Sequence, residues 1–320
     1  MKSQSKIRIA IAGCGSLVQQ VHLPLLKNMA RVGVVGIADP NAAACQMAAE
    51  QIPGLVAFET LSELLDEVEC DGVIVASPTH LHAEHACLVL SRKKALYLEK
   101  PMASTLNEAN QVIEIAQTSN AVAMMGFNYR FNPLWQHVAQ QAKSYTLTGI
   151  DSMFSLATRE LPAWKHKRSS GGGALLDLGV HHLDLMFSLF ELKPLSIKAQ
   201  IRSQRTEHDC VKIQMISDSG IAVNGSYSLL GKEADEICLR TDHGLSRFSR
   251  YEAFSYPLLP PHKFFRYHME RRKSPWKEPS FAHSIAAWIC AIEKNLPSPV
   301  PLADGYRVMQ WIEAAESSAR

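Results

Sequence analysis

The sequence predicts an α/β protein in which a doubly wound parallel sheet is followed by a second domain with antiparallel strand pairs. Between Ile7 and Asn128, short β-branched runs alternate with longer amphipathic runs, which is typical of βαβ units. After Phe131, apolar runs follow one another with only tight-turn sequences such as SDSG and TDHG between them. A chain of 320 residues also exceeds the usual size of a single core, so we expect two domains.

The composition is that of a globular protein with no general attraction to polyanions. Hydrophobic residues make up 47% of the chain, and the formal net charge of +2 gives no general attraction to nucleic acid or to an anionic membrane. No apolar run approaches the roughly 20 residues of a membrane span, and the N-terminus lacks the apolar core of a signal peptide. The seven cysteines are scattered, without a CxxC pair. We therefore expect a cytoplasmic protein with reduced thiols.

Six apolar runs in the first half are candidates for the parallel strands: IRIAIA, VGVVGIA, GLVAF, GVIVAS, ALYLEK and AVAMMGF. Two helices between them begin with the spacing of a capping box, Thr60 with Glu63 and Thr105 with Glu108. This half therefore has the pattern of a nucleotide-binding fold.

The second half begins with a helical run, NPLWQHVAQQA. Its strand candidates are GIDSMFSLATRE, LSIKAQIRSQ, DCVKIQMIS, IAVNGSYSLL and EICLRT, and the tight turns between several of them predict antiparallel pairing. The apolar positions of GGGALLDLGVHHLDL, residues 171–185, suit a helix packed on this sheet. Two further helices are expected at FAHSIAAWICAIEKN and YRVMQWIEAAE.

The sequence IAIAGCGSLVQQVHLPLL places a glycine turn between the first strand and the following helix. Gly13 permits the tight turn, and Gly15 lets the backbone approach a pyrophosphate, which the helix N-terminus would bind. Val18 occupies the third glycine position of the dinucleotide-binding pattern, and its larger side chain should displace the helix slightly from the strand. A plain glycine turn is the alternative interpretation.

Asp39 ends the second strand candidate, at about the distance beyond the glycines where a carboxylate binds an adenosine ribose. A carboxylate there accepts hydrogen bonds from a free 2′-hydroxyl and repels a 2′-phosphate. NAD is therefore favoured as cofactor, with NADP left open. The alternative role of Asp39 is a helix N-cap before NAAACQMAAE.

Polar residues also follow the strand candidate GVIVAS. Ser77, Pro78 and Thr79 should border the same crevice as the glycine loop, because the carboxyl ends of parallel strands share one edge of the sheet. We expect His82 beside them and His85 at the surface.

Glu99 and Lys100 stand at the end of the apolar run ALYL, and Pro101 stiffens the chain after them. One interpretation is a surface ion pair. The other is a functional lysine whose ammonium points at a reacting oxygen, since a charged pair at this place is not expected in the core.

Asp177 and His181 are four residues apart, so on a helix they would project from one face. A histidine with a near-neutral pKa suits removal of a hydroxyl proton while a hydride leaves carbon. A buried core histidine and a metal site with His182 are the alternatives, but adjacent histidines point about 100° apart on a helix. We therefore expect no metal, His182 off the catalytic face, and Asp184 in a structural hydrogen bond.

The ordered set AGCGSLVQQVHLPLL, IADP, ASPTHLHAEHA, YLEKPMASTLNEA, GFNYRFNP and GGGALLDLGVHHLDL resembles the glucose-fructose oxidoreductase, inositol dehydrogenase and rhizopine catabolism family, Gfo/Idh/MocA. The resemblance implies an N-terminal Rossmann domain, residues 1–125, and a C-terminal α+β domain, residues 126–320, with a large open, mostly antiparallel sheet. A C-terminal helix at about residues 304–318 is a candidate for packing back on the Rossmann domain. Members of this family commonly form homo-oligomers, so we expect a dimer or tetramer.

The resemblance also implies NAD(P)-dependent hydride transfer to or from a secondary alcohol or ketone of a sugar, cyclitol or derivative. His181 would be the acid/base, Lys100 would stabilise the alkoxide, and Asp177 would orient substrate or histidine. The alternatives are NAD-assisted glycoside cleavage through a 3-keto intermediate and a non-catalytic cofactor-binding regulator. The expected cofactor-binding residues are Gly13, Cys14, Gly15, Ser16, Leu17, Val18, Asp39, Ser77, Pro78, Thr79, His82, Glu99, Lys100, Asn128, Trp164 and Lys165.

Two basic segments bear on the substrate. One precedes the predicted catalytic helix and contains Trp164, Lys165, His166, Lys167 and Arg168. The other, HKFFRYHMERRK, spans residues 262–273, and a single patch on a near-neutral protein is more typical of a solvated loop or subunit contact than of nucleic-acid binding. If these cations are functional, we expect them to bind a phosphate or carboxylate of the substrate.

Overall fold

The computed structural model describes residues 6–251 and 279–319, so the basic segment 262–273 lies outside the described residues. The chain forms two compact units. The first contains residues up to Ala103 together with Asn107–Gly126 and Phe281–Tyr306, and the second contains Ser104–Leu106, Phe127–Ser280 and the chain from Arg307 onward.

The first unit is built on the predicted parallel sheet. Its strands run in the order β3-β2-β1-β4-β5-β6, and every neighbouring pair is parallel. The strand order reverses between β1 and β4, and at such a reversal a crevice opens at the carboxyl ends of the strands. The strands are β1 (Ile7–Ala12), β2 (Val32–Ala38), β3 (Val56–Phe58), β4 (Gly72–Val75), β5 (Ala95–Leu98) and β6 (Ala123–Met125).

The helices of the first half begin where the sequence predicts them. Thr60 caps α3 in a complete capping box with Glu63, and α5 begins directly after Thr105. The helices are α1 (Leu23–Lys27), which follows a π-helical turn at Val18–His22, α2 (Ala42–Gln51), α3 (Leu61–Glu67), α4 (His82–Ser91) and α5 (Leu106–Thr118).

A helix from the end of the chain, α8 (Pro279–Lys294), completes the first unit. Its Trp288 is fully buried against β4, where a Cβ added to Gly72 would lie 3.0 Å from the ring. The hydroxyl oxygens of Tyr97 on β5 and Ser284 are 2.9 Å apart. The first unit is therefore discontinuous in sequence, unlike the division at residue 125 that the sequence predicts, because α8 buries its apolar face on this sheet.

The second unit is built on a six-stranded sheet of order β12-β11-β7-β10-β9-β8. All neighbouring pairs are antiparallel except β7 and β10, which are parallel, so the expectation of a mostly antiparallel sheet is confirmed. The strands are β7 (Leu147–Ala157), β8 (Pro194–Arg202), β9 (Cys210–Ser217), β10 (Ala222–Gly231), β11 (Ala234–Thr241) and β12 (Gly244–Ser249).

Helices cover one face of this sheet. Along β9, Val211, Ile213 and Met215 are buried while Lys212 and Gln214 are exposed, which is the alternation of a half-covered sheet. The helices of this half are α6 (Pro133–Lys143), α7 (Val180–Ser188) and α9 (Leu302–Ser318).

The last helix, α9, has its residues from Arg307 onward in the second unit. Trp311 of α9 meets Phe187 of α7 edge to face, with ring centroids 6.1 Å apart. The first residues of α9, up to Tyr306, belong to the first unit, where a Cβ added to Gly305 would lie 2.7 Å from the sulfur of Met125 on β6.

In the described part of the chain, no helix combines the length and the apolar character needed to cross a membrane. All seven cysteines are free thiols.

The turn after β1 requires glycine at Gly13. Its φ is +95°, and a Cβ there would lie 2.6 Å from the backbone nitrogen of Ser77. Gly54 is a matched control, since its φ is +81° but a Cβ there would meet no atom within 4 Å. Substituting each glycine by alanine therefore distinguishes two contributions to the loss of stability. Both positions show the cost of the left-handed backbone, but only Gly13 adds the cost of the close contact.

We expect Gly13→Ala to lower the free energy of unfolding by roughly 2–5 kcal/mol, because left-handed strain and steric overlap add. Gly54→Ala should cost only about 1–2 kcal/mol, from the strain alone. Urea unfolding followed by circular dichroism measures both values. An equal decrease in the free energy of unfolding of the two variants would contradict a cost from the close contact at Gly13.

Candidate active site

The loop that follows β1 leaves its backbone open at the position predicted for a pyrophosphate. Gly13 and Cys14 are buried, whereas Gly15 and Ser16 are exposed. A Cβ added to Gly15 would meet no atom within 4 Å, so the space above its backbone is clear. This arrangement fits a phosphate-binding turn.

The helix after this loop opens with a π turn, Val18–His22, and Val18 is fully buried. A π turn is wider than an α turn and is frequent at functional sites. It occurs where valine replaces the third glycine of the dinucleotide-binding pattern.

Asp39 connects the end of β2 to the glycine loop. Its Oδ2 accepts a hydrogen bond from the backbone N–H of Cys14 at 2.6 Å, and its Oδ1 accepts one from Asn41 N–H at 2.8 Å. The N-cap of α2 is Asn41, whose side chain accepts from Ala44 N–H, so the interpretation of Asp39 as the N-cap is wrong. The half-buried Asp39 carboxylate therefore lies beside the predicted phosphate loop.

His82 supports two strand ends instead of presenting a nitrogen to a ligand. It is buried, and its Nδ1 and Nε2 lie 2.6 Å and 2.8 Å from the carbonyl oxygens of Pro101 and Ser77. Both ring nitrogens are thus occupied by backbone carbonyl groups, and the expectation that His82 lies beside the cofactor stays a prediction. Burial lowers the pKa of His82, which opposes its carrying a charge there.

His85 is half-buried, and its Nδ1 lies 3.0 Å from the hydroxyl oxygen of Ser77. The expectation that His85 lies at the surface is therefore wrong. Burial lowers its pKa as well. Thr79 is buried and Pro78 is half-buried in the same segment.

The pair after β5 is not a surface ion pair. Glu99 is buried, and its Oε1 and Oε2 accept hydrogen bonds from His22 Nε2 at 3.0 Å and from the N–H of Lys100 at 3.3 Å. Lys100 itself is half-buried and precedes a cis peptide bond to Pro101. The Glu99 carboxylate is thus turned into the protein.

His22, in the turn after the glycine loop, is a residue near the site that the sequence did not predict. Its ring is fully buried and edge-on to those of Tyr97 and Phe281, with centroids 6.0 Å and 6.4 Å away. The only signal was a histidine in the otherwise apolar run VHLPLL. Nothing local indicated that its partner would be Glu99, 77 residues later.

In the second unit, Asp177 lies in a π-helical turn, Leu175–Gly179, that leads into α7 with His181. Four residues amount to about one turn in either helix type, so the two side chains remain on similar sides of the segment. Lys165 Nζ donates to Asp177 Oδ2 at 2.6 Å. This pair brings the segment before the helix to the predicted site residue.

His181 lies on an aromatic platform. Its ring stacks on that of Tyr129 with centroids 4.2 Å apart and planes 21° apart, and Phe154 lies 6.1 Å away. The residue is 8% exposed. Stacking fixes the plane of the imidazole, which an acid–base group needs for directed proton transfer.

His182 contacts β11 and also lies near Tyr129 and Phe154, with ring centroids 6.4 Å and 5.7 Å away. It is fully buried, and its Nε2 lies 3.0 Å from Asp235 Oδ1 on β11. Tyr129 donates from its hydroxyl to Asp235 Oδ2 at 2.5 Å, and Arg250 Nε approaches the same oxygen at 2.8 Å. Burial would raise the pKa of Asp235, but Arg250, His182 and Tyr129 outweigh it and hold the pKa below its usual value.

Asp184 forms the structural hydrogen bonds that the sequence predicts. Its carboxylate accepts from Arg130 Nε at 2.9 Å and is almost fully buried. Asn128, two residues before Arg130, is also buried and donates from its amide to Ser280 Oγ at 2.9 Å. These contacts position the segment that contains Tyr129.

The basic segment before the helix that contains His181 is engaged within the protein. Lys165 pairs with Asp177, and its ammonium lies 5.3 Å from the ring centroid of Trp164. Arg168 binds Glu316 through Nε and Nη2 at 2.6 Å and 2.8 Å. His166 and Lys167 are exposed. A carboxylate of the protein thus already pairs with the Arg168 guanidinium. The expectation that these cations bind an anionic group of the substrate stays a prediction.

Among the residues that the structure describes, no three His, Cys, Asp or Glu side chains are grouped to hold a metal ion.

Two family models match the chain. One, an oxidoreductase family with an NAD-binding Rossmann fold, matches residues 7–127, and the other, a Gfo/Idh/MocA C-terminal domain, matches residues 146–243. The matches cover most of the parallel sheet and most strands of the second sheet.

Known proteins similar to the chain include the rhizopine catabolism protein MocA of Rhizobium meliloti, 26% identical over 70% of this chain and 71% of that protein. Glucose-6-phosphate 3-dehydrogenase of Bacillus subtilis is 27% identical over 82% of this chain and 74% of that protein. Among solved structures, the WlbA dehydrogenase from Bordetella pertussis in complex with NADH and UDP-GlcNAcA has a TM-score of 0.84 at 19% identity, covering 100% of this chain and 97% of that one. At this identity the structural likeness shows the fold.

We expect Asp235→Asn to lower the free energy of unfolding by about 3–5 kcal/mol at pH 7, because it removes a fully buried charge from its ion pair with Arg250, whose side chain is only 13% exposed. The pKa of Asp235 in the folded protein lies below the ordinary value of 3.8. The stabilisation that its carboxylate provides is therefore complete at any pH well above 3.8. The contribution is lost as the pH falls through the lower folded value, so the difference between the two proteins should shrink only below about pH 4.

Denaturant unfolding from pH 7 to pH 3 measures this difference. Asp151→Asn is the control, because its partner Arg240 and Asp151 itself are both more than one-third exposed, and such pairs contribute at most about 1 kcal/mol. If Asp235→Asn lowers the free energy of unfolding no more than Asp151→Asn does, the buried ion pair does not have the expected importance.

Proposed function

The chain belongs to the Gfo/Idh/MocA family of NAD-binding oxidoreductases, and from this premise we propose that it transfers a hydride between the nicotinamide and a secondary alcohol or ketone of a sugar, cyclitol or derivative. The observation that carries the proposal is His181, which is stacked on Tyr129 and lies about one turn after Asp177. An imidazole held in one plane next to a carboxylate-bearing turn suits proton exchange with a hydroxyl group.

In this proposal each residue has one task. The bound nicotinamide accepts or supplies the hydride. His181 takes the hydroxyl proton during oxidation and returns it during reduction. Lys100 stabilises the negative charge that develops on the substrate oxygen. Asp177, paired with Lys165, orients the substrate or His181.

The first unit supplies the cofactor-binding residues of the proposal. The open amides at Gly15 and Ser16 suit the pyrophosphate, and Asp39 would accept hydrogen bonds from the adenosine ribose. Roles for Pro78, Thr79 and Trp164 remain proposals of the same kind. His82 and Asn128 would act indirectly, through the backbone and side chain that they hold.

The substrate, in this proposal, is a polyol or carbonyl compound recognised through hydroxyl groups. A phosphate or carboxylate group on that compound remains part of the proposal, although Lys165 and Arg168 each pair with a carboxylate of the protein. Glucose-6-phosphate 3-dehydrogenase and the WlbA dehydrogenase, which are similar to this chain, are named for or bound to sugar derivatives.

We further propose that the protein is cytoplasmic and forms a homo-oligomer through the open face of the second sheet. The free thiols support the compartment. The sheet face supports the assembly, since Met153 on β7 is 44% exposed beside a cavity of about 680 Å³ bordered by Lys212 and Glu236.

Replacing the acid–base and alkoxide-stabilising groups should stop turnover without removing the cofactor. We expect His181→Asn and Lys100→Met to lower kcat by about 10²–10⁴-fold, the range of general acid–base and electrostatic contributions. The Kd for NADH, measured by fluorescence titration, should stay within about threefold because neither change alters the glycine loop.

His243→Asn is the control, because it makes the same substitution at an exposed histidine and should leave kcat unchanged. A screen of sugars, cyclitols and sugar nucleotides that follows absorbance of the reduced nicotinamide supplies the substrate for these assays. An undiminished kcat in both variants would contradict the roles proposed for His181 and Lys100.

We expect the wild-type protein to prefer NAD to NADP, because the Asp39 carboxylate repels a 2′-phosphate. Asp39→Ser should reduce the ratio of kcat/KM for NAD to that for NADP by about tenfold or more, which corresponds to roughly 1.4 kcal/mol. Asp218→Ser, at an exposed turn of the second unit, should leave the ratio unchanged. A wild-type preference for NADP would refute the role of Asp39.

A further inference from the structure

The helical segment that contains Asp177 and His181 begins without a capping side chain. Its N-cap residue, Ala174, makes no side-chain hydrogen bond. The preceding Gly171 and Gly173 have φ of 88° and 102°, where glycine keeps wide conformational freedom. The direction in which this segment starts must therefore depend on contacts from elsewhere in the second unit.

The loop between β8 and β9, residues 203–209, supplies such contacts. The carbonyl oxygen of His208 accepts a hydrogen bond from Ala174 N–H at 2.8 Å. The carboxylate of Glu207 accepts one from Arg168 N–H at 2.6 Å. The loop is thus hydrogen-bonded to the chain both before and after the three glycines at positions 171–173.

The loop itself is held in one conformation by Asp209. The fully buried carboxylate of Asp209 accepts from the backbone N–H groups of Gln204, Arg205 and Thr206 at 3.1 Å, 2.7 Å and 2.9 Å. His208 adopts a left-handed φ of 55°, which is uncommon outside glycine. A loop fixed in this way can act as a rigid support for the chain bonded to it.

The guanidinium of Arg168 joins this loop to the last helix. It makes two bonds to the nearly buried carboxylate of Glu316 on α9 and a third to the carbonyl oxygen of Ser104 at 2.8 Å. Glu316 Oε1 also lies 3.4 Å from His208 Nδ1. The contacts close a ring that runs from Arg168 through Glu316 and His208 to Ala174.

Burial alone would raise the pKa of Glu316, but hydrogen bonds from His208 and Arg168 lower it below its usual value. The carboxylate of this ring is therefore charged at neutral pH.

We propose that Arg168 is a positioning residue, which acts through Glu316 and the β8–β9 loop to set the start of the helix that contains Asp177 and His181. The catalytic consequence rests on the proposed function, whereas the ring of contacts does not. A planar guanidinium can bind a carboxylate with two parallel bonds and a carbonyl with a third donor, which an ammonium cannot reproduce.

Hydrogen exchange of the Ala174 amide in the full chain, without cofactor or substrate, tests the ring directly. Arg168→Lys and Glu316→Gln should each raise its exchange rate by about tenfold or more, because the support of the His208 carbonyl is weakened. Arg240→Lys, which alters another Arg–carboxylate pair on the open sheet face, should leave the rate unchanged. Unchanged exchange in a folded Arg168→Lys or Glu316→Gln protein would overturn the proposal.

Steady-state kinetics with a substrate from the screen test the consequence for the site. Arg168→Lys should lower kcat by about tenfold or more, since small misplacements of reacting groups have effects of this size. The Kd for NADH should not change. A loss of thermal stability with unchanged kcat would show a purely structural role and overturn the proposal.

Failure of the proposed function gives a different result. In that case His181→Asn keeps full activity, while exchange at Ala174 still responds to Arg168→Lys. Failure of the positioning role leaves exchange and kcat unchanged in Arg168→Lys, while His181→Asn is inactive.

Discussion

The carboxylate of Asp235 is fully buried, and three segments distant in sequence meet on it. Tyr129 donates a hydrogen bond from the segment after β6, His182 from α7, and Arg250 forms an ion pair from the chain after β12. A buried charge without partners would cost several kcal/mol, so the three segments must be in place together. Tyr129 is also the platform on which His181 stacks. The orientation of the proposed acid–base residue therefore depends on a charge that solvent does not reach.

Carboxylates have the same structural task elsewhere around the site. Glu99 joins the turn after the glycine loop to the end of β5 through His22, and Glu316 joins α9 to the segment before the helix with His181 through Arg168. These groups are buried or nearly so, unlike the exposed pair Lys143 and Glu191. Exposed pairs contribute at most about 1 kcal/mol, because water screens them and both side chains lose freedom. The buried carboxylates connect elements, whereas the exposed pairs add little.

The fold could be predicted well where the pattern is local. The strands β1 and β2 match the runs IRIAIA and VGVVGIA residue for residue, because β-branched alternation and flanking turns define both ends. The strand β12, GLSRFS, was not predicted, since four of its six residues are exposed and it has no apolar alternation. The parallel pairing of β7 with β10 was also missed. Pairing across 70 residues depends on which sheet edge is free, and no run of sequence contains that information.

The sequence by itself determined the glycine turn at Gly13, the spacing of Asp177 and His181, and the polar residues at the strand ends. Each of these depends on neighbours within a few residues, where backbone sterics and helical period apply. Only the tertiary structure decided that His22 binds Glu99, that Arg168 binds Glu316 and that His182 binds Asp235, over separations of 77, 148 and 53 residues. Any buried carboxylate can satisfy any nearby donor, so the partner is chosen by the packing of the surrounding elements and not by the residues themselves.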